Sequence, residues 1–200
     1  MRNTATKITT TLGILISLLL GGCSGASLVV EGDYPNALTH KLPVTAGLVL
    51  DDQFQHYTYT SNEGADISIG LGSAQVELFT QILKDLFNRT IPLPSASANS
   101  SVDLIIAPHV EELQLVTPAE SNAKIFEIWI KYNIQVFNNR GETIADWLMT
   151  SYGKTQDRFM ASNEDALNEA AVVAMRDAGA RLIIELPRVP EIRNWLEQQK

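Results

Sequence analysis

The sequence predicts an α+β domain: an antiparallel sheet of about four strands with two helices packed on one face, in the order β-α-β-β-β-α. Two observations carry most of this. In "KIFEIWIKYNIQVFNNRGETIADWLMTSYGKT", Phe126, Ile128, Ile130, Tyr132, Ile134 and Val136 hold one face of a strand without a break. Glu127, Lys131, Asn133 and Gln135 hold the other face, and the turn "NNRG" returns a partner strand. In "SNEDALNEAAVVAMRDAGARLIIEL" the apolar positions recur at helical spacing and are mostly alanine, which lets a helix lie close on a sheet.

Taken in order, "PVTAGLVLDDQF" alternates Val44, Ala46, Leu48 and Leu50 against Thr45, Gly47, Val49 and Asp51, a strand with one face toward a core. "HYTYT" either extends it or begins a hairpin partner. "ADISIGLGSAQVELFTQILKDLFNRTIPLP" turns a short strand into a helix with Ser73 as N-cap. Val76, Phe79, Leu83, Leu86 and Phe87 form its inner stripe, Gln75, Glu77, Gln81, Lys84 and Asp85 lie opposite, and Pro92 and Pro94 close it. After the polar loop "SASANSS", "VDLIIAPHVEELQLV" is a strand through Val102, Leu104 and Ile106. Pro108 and the pair Glu111, Glu112 interrupt its alternation, as at a sheet edge or a bulge.

If Asn139 and Arg140 form the hairpin tip, Trp147 stands opposite Tyr132 on the apolar face, and three antiparallel strands make a meander. The second helix opens with Ser162 and Asp165 at capping-box spacing and turns Leu167, Ala170, Ala171, Ala174, Ala178 and Leu182 inward; Pro187 ends it. "RVPEIRNWLEQQK" is an amphipathic tail whose Ile192, Trp195 and Leu196 dock on the domain or on a partner.

Two hundred residues, 45% of them hydrophobic, suffice for one core. The formal charge is -8, and no basic patch interleaved with aromatics is present. Such a surface repels phosphate backbones, so nucleic acid is not an expected partner. The single cysteine, Cys23, excludes an internal disulfide framework.

The N-terminus reads as a signal peptide. "MRNTATK" carries Arg2 and Lys7 and no acid, an apolar run follows, and Gly21 and Gly22 precede Cys23. The strongly apolar part, Leu12 to Leu20, is about half the roughly 20 residues of a spanning helix. Leu20, Gly21, Gly22 and Cys23 resemble the bacterial lipobox: an aliphatic residue, two small residues, then cysteine. That resemblance implies cleavage before Cys23, diacylation of its sulfur by chains such as palmitate, and commonly a third chain on its amine. One acyl chain anchors marginally, two or more stably. Ser24 is not the aspartate that retains such proteins in the inner membrane, so the resemblance implies the outer membrane, with the domain in the periplasm. The expected organisation is a signal peptide over 1–22, a lipidated N-terminus and linker over 23–42, and a single α+β domain over 43–200.

The helix "VELFTQILKDLF", the strand "VDLIIAPHVEEL", the hairpin "IWIKYNIQVFNNRGETIADWLMTSYG" and the helix start "NEDALNEAAVVAM" resemble the YajG-like family of uncharacterised outer-membrane lipoproteins. The resemblance covers most of the chain after Cys23, least well in its first third. It implies a location and an architecture and brings no catalytic site.

No other chemistry stands out. "GLGS" at Gly70 to Ser73 lacks the later glycine of a dinucleotide fingerprint and the lysine of a P-loop, and reads as a tight strand-to-helix turn. His40, His56 and His109 are far apart without metal-ligand spacing. The neighbours Asp51 and Asp52, like Glu111 and Glu112, point to opposite faces of a strand and make no acid/base dyad. There is no GxSxG elbow. Expected are no catalytic residues, no metal and no cofactor.

Trp129 and Phe137 lie on the otherwise polar face of the long strand and are the expected partner contacts, unless ordinary packing covers them. The expectation is therefore a non-enzymatic envelope lipoprotein that binds another envelope component. The alternative is a carrier or sensor of a small apolar ligand or lipid, lodged between the sheet and the alanine-rich helix.

Overall fold

A computed structural model describes residues 26–61, 67–99, 101–121, 123–157 and 162–199. In chain order the strands are β1 (Ala26–Val29), β2 (Leu42–Val49), β3 (Thr58–Thr60), β4 (Ile67–Gly70), β5 (Phe87–Leu93), β6 (Leu104–Val116), β7 (Ile125–Asn138) and β8 (Thr143–Gln156). The helices are α1 (Asp52–Gln55), α2 (Gly72–Leu86), α3 (Pro118–Ser121), α4 (Asn163–Glu185) and α5 (Pro190–Glu197).

The fold is mixed α+β, but the expected four-stranded antiparallel sheet is too simple. A five-stranded sheet runs β5-β2-β6-β7-β8, with β2 parallel to both β5 and β6, and β6, β7 and β8 mutually antiparallel. A three-stranded sheet, β1-β4-β3, stands beside it. The additional strands escaped the sequence for physical reasons. α2 ends at Leu86, six residues before the proline expected to stop it, because Phe87 turns extended and the chain runs straight into β5. Pro92 lies within that strand, which is tolerated because β5 is an edge. "HYTYT" neither extends β2 nor pairs with it; Thr58–Thr60 pairs with β4 in the small sheet.

The meander follows its pattern. β7 buries every second residue from Phe126 to Val136. β6 realises both readings of its broken alternation: it pairs with β2 only from Leu104 to Ile106, becomes an edge beyond, and slips register between Val110 and Glu112. The hairpin register differs from the expected one. Its loop holds three residues, closed by Asn138 N–H donating to Glu142 O (2.9 Å) and Gly141 N–H donating to Asn138 O (3.0 Å), with Gly141 at φ +80°. A further irregularity falls between Val136 and Phe137. Trp147 therefore faces Ile134, and Met149 faces Tyr132. The shift is of two residues, so each side chain keeps its face.

Helices α2 and α4 cover one face of the large sheet. Ser162 caps α4 as expected: its Oγ accepts from Asp165 N–H (3.0 Å) and donates to the Asp165 carboxylate (2.8 Å). Ala170, Ala171, Ala174 and Ala178 are completely buried. Gly153 on β8 marks the closest approach, since a Cβ there would stand 2.1 Å from Ala170 O and 2.3 Å from Ala174 N. At the other helix the expected N-cap fails. The cap position is Leu71, with no side-chain bond, and Ser73 lies inside α2. Gln75, expected on the outer side, is fully buried and donates to the Phe54 carbonyl. Above it Phe54, Phe79 and Tyr132 form an aromatic cluster, with centroids 5.2 to 6.4 Å apart. The tail docks on the domain: Ile192 of α5 is buried and Trp195 and Leu196 pack against the core.

Residues 26–42 are not a free linker. Ala26–Val29 is a strand, and Leu28 and Val30 are core residues. Beyond β1 the chain is strapped across the helices. Glu31 and Asn168 exchange two hydrogen bonds (3.1 and 3.0 Å), Arg176 donates to Asp33 O (3.3 Å), and Ala37 N–H donates to Asp85 (2.8 Å).

Candidate functional site

Leu20, Gly21, Gly22 and Cys23 lie outside the described residues. The first described strand follows closely: Ala26, three residues after Cys23, pairs in parallel register with Ile67. The strap that follows carries Tyr34, which is half-buried against the core. Burial, then the carboxylate of Glu77, push its phenol up to about 12, with Arg176 opposing.

Beside this start of the chain lies a cavity of about 370 Å³. Its apolar walls come from Leu28 on β1, Ile67 on β4, Phe126 on β7 and Leu167 on α4; Thr117, Pro118, Ala119, Asp157, Asn163 and Glu164 form the rest. The expected place for an apolar ligand, between the sheet and the alanine stripe, is closed instead. There the backbones of β8 and α4 are too near for even a methyl group at Gly153. The cavity lies at the N-terminal end of α4, and no single segment supplies more than a few of its described lining residues, so no local pattern announced it.

Trp129 and Phe137 are both half-buried on the outer face, about 27 Å apart along one strand. Trp129 stacks on Tyr152 with centroids 4.9 Å apart, and the Tyr152 hydroxyl donates to Glu127 (2.7 Å). Burial and that carboxylate push the Tyr152 phenol up to about 12. Phe137 packs into a second apolar cluster made by Val49, Val102, Ile105 and Ala107 with Ile91, Leu93 and Ala96. The two aromatics are thus separate features, one stacked in an open ladder and the other covered by its own sheet. The free side of β8 is also occupied: Asp177 on α4 accepts from Tyr152 N–H (3.0 Å) and is held by Arg181 (2.9 Å).

The remaining polar motifs are used in folding. The amides of Leu71 and Gly72 in "GLGS" donate to Tyr57 O (3.0 and 3.2 Å), and a Cβ at Gly72 would stand 2.1 Å from Gln55 O. Asp51 caps α1 by accepting from Phe54 N–H (2.7 Å). The fold also brings it 3.2 Å from His109 Nδ1, a pairing that sequence distance conceals. His56 turns to its own helix, at Asp52, and His40 is exposed. Glu111 and Glu112 are exposed. No group of three or more metal-ligating side chains occurs among the described residues.

No protein-family model matches the chain, and no curated protein is similar in sequence. Solved structures do resemble it. A Xanthomonas campestris protein of the DUF330 family superposes with a TM-score of 0.56 at 8% identity, covering 88% of this chain and 100% of that one. At this identity the likeness is one of fold alone. A minor lipoprotein from Acinetobacter baumannii (TM-score 0.45, 10% identity, 72% and 90% covered) is also similar. So is a Caulobacter crescentus protein described as a candidate lipoprotein (0.43, 10%, 64% and 85%). None of these three is described as YajG-like. No helix among the described residues is long and apolar enough to cross a membrane.

Proposed function

We propose that this chain is an outer-membrane lipoprotein of YajG-like type, anchored through Cys23, whose periplasmic domain binds another envelope component without performing catalysis. The observation that carries the reading is the sequence Leu20-Gly21-Gly22-Cys23 set three residues ahead of β1. Three residue steps span at most about 11 Å, so a lipid on Cys23 holds the domain directly against the bilayer rather than on a long tether. The partner surface in this reading is the open outer ladder around Trp129 and Tyr152, where stacked aromatics offer contact area with little conformational entropy to lose.

Cys23→Ala tests the anchor: it abolishes fatty-acid labelling and releases the domain from sedimented membranes, whereas retained label refutes the assignment. A photocrosslinker at Lys131, beside Trp129, tests the surface in intact envelopes. The expected product is one reproducible envelope protein whose yield falls severalfold with Trp129→Ala; a smear of unrelated products, or none, ends the partner reading.

A further inference from the structure

We propose that the apolar cavity beside β1 holds one acyl chain of the protein's own anchor, the lipid on Cys23. This rests on the lipoprotein reading above and adds where part of that lipid goes.

The first support is the cavity itself. Leu28, Ile67, Phe126 and Leu167 converge from two strands of the small sheet, the long strand β7 and α4, around about 370 Å³. That volume falls in the range of small-ligand sites, about 300 to 1,000 Å³. An apolar hollow open to water is unfavourable, and filling it with the methylenes of an acyl chain removes that apolar surface from water.

The second is reach. Ala26 pairs with Ile67, one of the cavity walls, and only Ser24 and Gly25 separate it from Cys23. A lipid on Cys23 is therefore tethered within about 11 Å of the strand that lines the cavity. Occupation becomes an intramolecular step at an effective concentration in the millimolar range, ahead of any lipid that must arrive from elsewhere.

The third is charge. The rim carries Asp157 and Glu164 and, among the described lining residues, no basic group. A free fatty acid would bring a carboxylate against them, and a phospholipid a phosphate; the diacylglyceryl group on a cysteine sulfur brings neither. A three-chain anchor that lends one chain to the cavity keeps two in the bilayer, still enough for stable attachment. The pole formed by β1, α3 and the start of α4 then faces the membrane.

The test uses the full chain in cells fed a fatty acid that bears a diazirine and an alkyne. After irradiation of intact envelopes, the purified lipoprotein is digested and its joined peptides are read by mass spectrometry. The acylated Cys23 peptide is expected to be joined to the peptides containing Phe126 or Leu167. Ala119→Trp and Asn163→Trp, at exposed wall positions that leave the core untouched, should each lower that product at least fivefold relative to total acylated Cys23 peptide. Acylated Cys23 joined only to other lipids overturns the proposal while leaving the lipoprotein reading intact. Phospholipid or fatty-acid adducts on the cavity peptides in place of the Cys23 peptide overturn it in favour of a carried lipid, as does a yield that neither tryptophan changes. An unacylated Cys23 overturns both readings together.

Discussion

The inner face of the β7–β8 hairpin carries Ile128, Ile130, Tyr132 and Ile134, with Ser151 and Gly153 across from them, and meets α4 backbone to backbone. Its outer face carries Glu127, Trp129, Lys131 and Asn133 opposite Lys154, Tyr152, Thr150 and Leu148, and neither α2 nor α4 covers it. The two faces share every backbone hydrogen bond. What separates them is the freedom of the neighbours: inside, a side chain must fit atoms that cannot move, whereas outside it answers mainly to its cross-strand partner. Substitution is accordingly expected to cost least on the outer ladder.

The contrast can be broken by mutation, beginning with the largest effects. Phe79→Ala, which empties the centre of the aromatic cluster, should cost about 4 kcal/mol in a denaturant titration. Gly153→Ala adds a single methyl group yet should cost about 3 kcal/mol, because that methyl meets helix backbone and not a movable side chain. A loss below 1 kcal/mol would mean that α4 can retreat and that the inner face is softer than its packing implies. Ser162→Ala removes the cap of α4 and should cost about 1 kcal/mol, read as a lowered melting temperature. On the outer face Trp129→Ala should cost less than about 1 kcal/mol, the scale of one cross-strand pair, while lowering partner capture severalfold. A larger thermal loss there would move Trp129 from contact residue to structural residue.

The last prediction is silent at neutral pH. Tyr34, on the strap, and Tyr152, on the outer ladder, both ionise at about 12 in the folded chain, above the ordinary value of 10. Their folded-state values lie above the unfolded one, so the stabilisation from the protonated phenols is complete below pH 10 and is lost as the pH rises to about 12. Stability measured across that window should fall, and Tyr34→Phe and Tyr152→Phe should each flatten the slope. An unchanged slope in Tyr34→Phe would mean that the strap opens before its phenol ionises.

The parts legible in the sequence are those whose partners are near in sequence. The β6–β8 meander, the serine cap of α4 and its alanine stripe each reflect a period of two or 3.6 residues that local geometry enforces. The parallel half of the sheet is different. β2 is buried on both faces in its second half, where Gly47 and Val49 face Leu93 and Ile105, so its one-sided alternation understated its burial. β5 follows α2 without a break, and its proline, which sits harmlessly on an edge, read as a stop. Gln75 looked solvent-facing because its partner is a carbonyl 21 residues away. The hairpin register missed by two residues because a three-residue loop and a bulge are invisible to a pattern that counts only faces.

For the candidate sites the same division holds. Cys23 and its three preceding residues form a contiguous motif, so sequence alone suffices to nominate it. Sequence also determined the charge that disfavours nucleic acid, the period of each long element and the side of the sheet on which Trp129 lies. Only the tertiary structure decided that Phe137 is covered while Trp129 is stacked in the open, that residues 26–42 strap the helices, and that β1 begins beside an apolar cavity. The strap and the cavity depend on atoms brought together from segments more than a hundred residues apart and the cover over Phe137 on strands from elsewhere in the chain, and local periodicity carries no information about which distant segments meet.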